Sequence, residues 1–238
     1  KKGVSIDLVQ IDSMFPTGIV NVFLDEKGAP TYKIAQPAAW DFIQPSADLH
    51  DAAVAADVLV FGSLACRSDR SKKTLVELLD LATLRVFDVN IRKPFCSKYL
   101  LEELLPKADV VKMNDDELSI LAAHWGADHL DEAEQMAFLK RKFDLETLIL
   151  TKGPHGAACF DETGLHEQGG FPVEVADTIG SGDAFLAGFI SKMLAGENAQ
   201  SCLRFACGMG ALVATKTGGT PEINIDVIRG LTEKSFAS

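Results

Sequence analysis

The sequence predicts an α/β protein whose mostly parallel sheet is covered by helices on both faces. From Asp57 onward, short β-branched runs alternate with helical patterns, the rhythm of βαβ units. The 238 residues can bury one substantial core, and 47% hydrophobic against 24% charged residues is the balance of a globular chain rather than a disordered one. One loop stands out: Asp177-Thr178-Ile179-Gly180-Ser181-Gly182-Asp183 follows an apolar, strand-like run and opens a long apolar helix.

The elements follow in chain order. Lys1–Leu8 is charged and weakly apolar, whereas such domains usually begin with a strand and a glycine-rich turn, so N-terminal sequence is expected to precede it. Ile19–Leu24 and Pro30–Ala35 read as a hairpin joined by Asp25-Glu26-Lys27-Gly28, an appendage suited to a lid or a dimer contact. Val58–Phe61, Leu84–Phe87, Val110–Met113 and Thr147–Leu150 read as strands. Between them Ser71–Leu81, Ser97–Leu105 and Asp131–Lys142 carry apolar residues at three- and four-residue spacing. Ala157–Phe160 and Phe171–Ala176 read as a later antiparallel edge of the sheet. Phe185, Leu186, Phe189, Ile190, Met193 and Leu194 form the stripe of a buried helix. The organisation predicted is one domain over 1–238, incomplete at its N-terminus, with residues 15–36 as the hairpin lid.

Composition removes several function classes. A net charge of -11 argues against a nucleic-acid partner. No run has membrane-spanning length and no signal-peptide pattern precedes the first strand, so a cytoplasmic location is expected. Cys66, Cys96, Cys159, Cys202 and Cys207 are odd in number and lack C-x-x-C pairing, which suits reduced thiols rather than disulfides or zinc. The five histidines are equally dispersed.

Four loops carry chemistry. At the start of the helix after Ile179, unpaired amides and the positive end of the helix dipole offer an anion site on Gly180, Ser181 and Gly182, with Asp183 facing it. A strand-to-helix turn needing glycine accounts for part of this pattern, but not for carboxylates at both ends of the loop. Thr151-Lys152-Gly153-Pro154-His155-Gly156 leaves a strand at its carboxyl end, where ligands gather; a plain Pro-Gly connection is the simpler reading. Asn114 and Glu117 form a capping-box pattern, and the same oxygens suit water around Mg²⁺. Asp88-Val89-Asn90-Ile91-Arg92 leaves another strand, and an arginine there suits sugar oxygens or phosphate. There is no G-x-x-x-x-G-K-[ST] and no third glycine of a dinucleotide fingerprint.

These segments together resemble the ribokinase or PfkB family of carbohydrate kinases, whose signature D-T-x-G-A-G-D is matched from Asp177 to Asp183 except at Ser181. Phe15-Pro16-Thr17-Gly18, Ala39-Trp40-Asp41, the D-x-N-x-R run and Thr215-Lys216-Thr217-Gly218-Gly219 extend the resemblance, which is nearest to bacterial fructokinases. It implies a three-layer αβα ribokinase-like fold. It also implies that Asp183 is the catalytic base, with Gly180, Ser181 and Gly182 as the anion hole. Asn90 and Arg92 join Asp183 at the sugar. Asn114 and Glu117 organise Mg²⁺ and phosphate, while Thr151, Lys152, Gly153 and Gly156 with Cys207 and Gly210 border the adenine nucleotide. Asp177, Ile179, Val213, Lys216 and Gly218 match positions that hold a monovalent cation such as K⁺. The family's first strand, with its sugar-binding aspartate, is expected before Lys1.

The activity implied is ATP-dependent phosphorylation of a sugar hydroxyl, fructose to fructose 6-phosphate, by a cytoplasmic enzyme whose lid hairpin suits a homodimer. The alternatives are a kinase for 2-keto-3-deoxygluconate, ribose or a nucleoside, and a truncated nucleotide-binding module without catalysis.

Overall fold

The computed structural model describes residues 3–24 and 30–234. Two strands form a small separate sheet: β1 (Val20–Leu24) and β2 (Pro30–Ile34) pair antiparallel, Val20 opposite Ile34 and Leu24 opposite Pro30. That is the expected hairpin; its predicted turn, Asp25 to Gly28, lies outside the described residues. The main sheet has six strands in chain order: β3 (Leu59–Gly62), β4 (Arg85–Asp88), β5 (Val110–Asn114), β6 (Thr147–Thr151), β7 (Ala157–Phe160) and β8 (Leu165–Gln168). β4 to β6 run parallel, β7 is antiparallel to β6, and β8 is antiparallel to β7. β8 therefore points the same way as β4 to β6, and the sheet is mostly parallel.

The helices are α1 (Ala47–Ala55), α2 (Asp69–Leu79), α3 (Lys98–Leu104), α4 (Asp115–His124), α5 (Glu132–Lys142), α6 (Ser181–Leu194), α7 (Ala199–Ala214) and α8 (Ile225–Lys234). Most begin where the sequence supplies an acceptor for an orphan N–H. Ser46 accepts from Leu49 N–H at 3.2 Å, Ser97 from Leu100 at 3.2 Å, and Asn198 from Ser201 at 2.9 Å. α5 opens on a reciprocal box in which Asp131 accepts from Glu134 N–H at 2.9 Å and Glu134 accepts from Asp131 N–H at 3.1 Å.

The chain divides into two compact units. The first holds Lys1–Arg85 and Asn90–Lys107. Its centre is an ion pair: Arg67 Nε donates to Asp41 Oδ1 at 2.7 Å and Nη2 to Oδ2 at 2.8 Å, while the guanidinium lies 3.8 Å from the Trp40 ring centroid. Burial pushes the Asp41 carboxyl up, but Arg67 and the Ala38 N–H outweigh it and hold the group below its ordinary value. Gly18 sits against the Trp40 indole, where a Cβ would collide, and Phe15 stacks on Phe42 at 3.9 Å. The motif residues Phe15–Gly18 and Ala39–Asp41 thus pack on one another.

The second unit holds Val86–Val89 and Ala108–Ser238. Leu148, Ile149 and Leu150 of β6 and Ala157, Ala158 and Cys159 of β7 are all buried. Successive strand residues point to opposite faces, so both faces of the sheet are covered here. α4 and α5 pack on β5 to β7, and α7 packs on β7, β8 and α6.

The second antiparallel edge strand is Leu165–Gln168, not Phe171–Ala176. Pro172 removes a ladder donor, and Gly170 runs so close to the Pro154 carbonyl that a Cβ has no room. The chain then crosses to α7, where the Ala176 and Asp177 N–H groups donate to the Ala214 carbonyl at 2.8 and 3.2 Å.

Candidate active site

The first turn of α6 gathers the chemistry of the second unit. Gly180 is its N-cap, in the left-handed region at φ 81°, and no side chain caps the helix. A Cβ on Gly180 would run into the Gly219 carbonyl, so only glycine admits this close approach. Asp177 holds the two loops in place: Oδ1 accepts from Ile179 N–H at 2.9 Å and Oδ2 from Gly218 N–H at 3.0 Å. These N–H groups, Ile179 first, hold its carboxylate below the usual range. Behind the turn, a Cβ on Gly210 of α7 would lie 3.2 Å from the Ser181 carbonyl, so Gly210 serves the α6–α7 contact. The Ser181 hydroxyl is buried without a partner. Gly182 and Asp183 are exposed.

One residue beside this turn was missed by sequence reasoning. Lys112 stands opposite Asp88 in the β4–β5 register, and its ammonium donates to Asp88 Oδ1 at 3.0 Å and Oδ2 at 3.1 Å. Both residues are buried. The ammonium lies 3.4 Å from where a Cβ of Gly182 would stand. Burial pushes the Asp88 carboxyl up against the pull of Lys112, and the charges of Glu117 and Asp183 push the same way. Asp88, Lys112, Glu117 and Asp183 therefore share one electrostatic environment. The sole signal in the sequence was a lysine inside an apolar strand.

At the end of β5 the predicted box is formed: Asn114 Oδ1 accepts from Glu117 N–H at 2.8 Å, and Glu117 Oε2 accepts from Asn114 N–H at 3.0 Å. Glu117 is only 5% exposed. At the end of β6, Thr151 Oγ1 donates to the Met113 carbonyl at 3.4 Å. Lys152 is tied by ion pairs to Glu132 at 3.0 Å and Glu167 at 3.1 Å. Gly153 and Gly156 take positive φ, and Gly156 is packed against the Gln168–Gly170 backbone. Cys207 is buried in α7, its thiol pushed up to about 12 by that burial, so it packs rather than reacts. The Val213 carbonyl accepts from Lys216 N–H at 2.9 Å.

Asn90 and Arg92 belong to the first unit. Asn90 takes a left-handed φ of 42°, and its carbonyl accepts from Ser63 Oγ at 3.2 Å. Arg92 is exposed, with Nη1 donating to the Ile91 carbonyl at 3.1 Å. Among the described residues, no group of three or more His, Cys, Asp or Glu side chains is arranged to hold a metal, and no helix is long and apolar enough to cross a membrane.

Known proteins are similar to this chain in sequence and fold. The pfkB family carbohydrate kinase profile matches residues 1–225. Fructokinase-2 of Solanum habrochaites is 26% identical over 238 residues, which is 93% of this chain and 71% of that protein. The 2-dehydro-3-deoxygalactonokinase of Haloferax volcanii is 31% identical over 175 residues, 68% of this chain and 54% of that one. The crystal structure of a fructokinase with bound ATP from Xylella fastidiosa superposes with a TM-score of 0.78 at 23% identity, covering 94% of this chain and 76% of that one. The fold is the expected ribokinase-like α/β fold. With a family match over 225 of its residues, the chain belongs to the pfkB family of carbohydrate kinases and is an enzyme of that class.

Proposed function

We propose that the protein transfers the γ-phosphoryl group of ATP to a sugar hydroxyl, with the 6-hydroxyl of fructose as the reference acceptor. The observation that carries this reading is the α6 N-terminus, which has a glycine cap, no side-chain cap and an exposed carboxylate in its first turn. Asp183 accepts the acceptor's proton as the hydroxyl oxygen attacks phosphorus, while the amides of Gly180, Ser181 and Gly182 take the charge that gathers on the phosphoryl oxygens. Lys112, held by Asp88, adds a positive charge beside Gly182.

Glu117 and Asn114 carry hard oxygens, the donor type magnesium takes through water, and each has one oxygen already accepting a backbone N–H. Asn114 and Glu117 would hold Mg²⁺ through its waters, and the ion would neutralise charge on the phosphates. Thr151, Lys152, Gly153 and Gly156 border the nucleotide with Cys207 and Gly210 behind them. Asp177 with the carbonyls of Ile179, Val213, Lys216 and Gly218 forms the monovalent cation position, although the Asp177 oxygens also pin the loops.

Asn90 and Arg92 hold sugar oxygens, and the β1–β2 hairpin is the lid that excludes water. A two-stranded hairpin is marginal alone, and Ile19 and Val20 are 57% and 54% exposed, which favours a second copy of the chain against it. A cytoplasmic location completes the reading.

The test is Asp183→Asn in the full protein, followed by ADP release across a sugar panel. ATP binding is expected to persist, while turnover falls by about 10³-fold. Unchanged turnover overturns the assignment of Asp183 as base.

A further inference from the structure

The loop from Lys152 to Gly156 borders the nucleotide in the function proposed above, and the inference rests on that reading. The two ends of the loop are fixed by different means. The far end is held by backbone: a Cβ on Gly156 would strike the Gln168 carbonyl, and one on Gly170 the Pro154 carbonyl, so the loop and the chain leaving β8 run directly against each other. The Lys152 N–H closes the loop by donating to the Gly156 carbonyl at 2.8 Å. The near end is held by one side chain. The Lys152 ammonium donates to Glu132 Oε1 at 3.0 Å and to Glu167 Oε1 at 3.1 Å.

Both partners are themselves anchored. Glu132 is the first residue of α5, where the helix dipole favours a carboxylate. Glu167 lies in β8, and its carbonyl accepts from Gln200 Nε2 of α7 at 3.1 Å. Lys152 therefore ties the end of β6 to α5 and β8, and through β8 to the helix that carries Cys207 and Gly210. Its side chain is 19% exposed and those of Glu132 and Glu167 are 45% and 62% exposed, so each ion pair adds little to global stability. Pairs this weak still suffice to keep a short loop in one shape, which spares a ligand the cost of ordering it. Attraction for phosphate does not explain the arrangement, because two carboxylates around one ammonium leave the cluster negative beside a loop that takes a polyanion.

We propose that Lys152 is a positioning residue for the nucleotide: its ammonium is committed to Glu132 and Glu167, holds the Lys152–Gly156 loop in its binding shape and makes no contact with the phosphates.

The test measures kcat and the KM for ATP and for the acceptor in the full protein, with the Kd for ATP obtained by titration calorimetry without acceptor. Charge and bracing predict opposite signs. Neutralising two acids near a polyanion lowers the KM for ATP by charge alone, whereas losing the brace raises it. Glu132→Gln combined with Glu167→Gln is expected to raise both KM and Kd for ATP about fivefold, the size of effect two exposed ion pairs transmit, while kcat and the acceptor KM stay within about twofold. Lys152→Met is expected to weaken ATP binding in the wild-type background and to add nothing in the double-Gln background, because its route to the nucleotide runs through the two acids. A KM and Kd for ATP unchanged or lowered by the double-Gln variant overturn the proposal. So does an acceptor KM that rises as far as that for ATP, which marks general loosening, or a further loss from Lys152→Met in the double-Gln background, which makes the lysine a direct nucleotide contact. Wild type that binds ATP without phosphorylating any acceptor sinks the kinase reading, and the Kd values then still decide the brace. Wild type that binds no ATP overturns both.

Discussion

The N-termini of α4 and α6 belong to the same unit and are finished in opposite ways. α4 closes on itself: Asn114 and Glu117 exchange side-chain and backbone hydrogen bonds, and the orphan amides there are partly satisfied before any ligand arrives. α6 begins on a left-handed glycine with no side-chain acceptor, and its carboxylate faces solvent. Both carry acid in the first turn, so charge does not distinguish them. What distinguishes them is whether a side chain already caps the amides: Asn114 caps α4, and no side chain caps α6.

The sharpest way to break the open terminus is Gly180→Ala. The new methyl meets the Gly219 carbonyl, a backbone atom with little freedom, and the residue is forced to φ 81°. Adding the left-handed penalty to the overpacking cost gives a loss of about 3 kcal/mol, and a fall in Tm of about 6–12 °C for a chain of this size. Gly218→Ala is the control: φ is 87° but nothing lies within 4 Å of its Cβ position, so only the conformational cost of about 1 kcal/mol remains. Equal melting temperatures for the two variants would remove the Gly180–Gly219 contact as the reason for glycine.

The closed terminus can be sharpened with Asn114→Ala and Asn114→Ser. Alanine removes the cap and is expected to cost about 1 kcal/mol in denaturant unfolding, while serine keeps an acceptor and restores most of it. If Asn114 also orders magnesium and phosphate, serine restores stability without restoring kcat/KM. Full recovery of both confines Asn114 to capping.

How legible this was depended on whether the information is local. β3 to β6 announced themselves as short apolar runs, and the α6 stripe as a helix, because each pattern is complete within a few residues. Leu165-His166-Glu167-Gln168 did not, since an edge strand half exposed to water needs no apolar alternation, while Phe171–Ala176 has the alternation but spends its backbone on a crossing. α7 is apolar on several faces because α6, β7 and β8 all cover it, and that blurs a helical stripe. The Asp177-to-Asp183 loop was readable because its glycines and carboxylates are contiguous. Lys112 was not, because its partner lies 24 residues away and the two meet only through strand register.

The smallest expected effect concerns Ser181, the one position where the loop departs from the family signature. Its hydroxyl is buried inside the first turn of α6 and has no partner. A buried hydroxyl without a hydrogen bond contributes nothing and keeps its desolvation cost, so Ser181→Ala is expected to leave the free protein unchanged or to raise its stability by up to about 1 kcal/mol. The comparison with α4 gives this small change its meaning. There, removing a side-chain oxygen takes away a bond already made; here it takes away a group with no bond in the free protein. Melting curves with and without ATP separate two uses of that hydroxyl. If ATP stabilises wild type and Ser181→Ala equally, the hydroxyl is a tolerated replacement for the family's alanine. If the alanine variant gains less from ATP, Ser181 donates to the bound phosphate, and the open terminus uses a side chain as well as its amides.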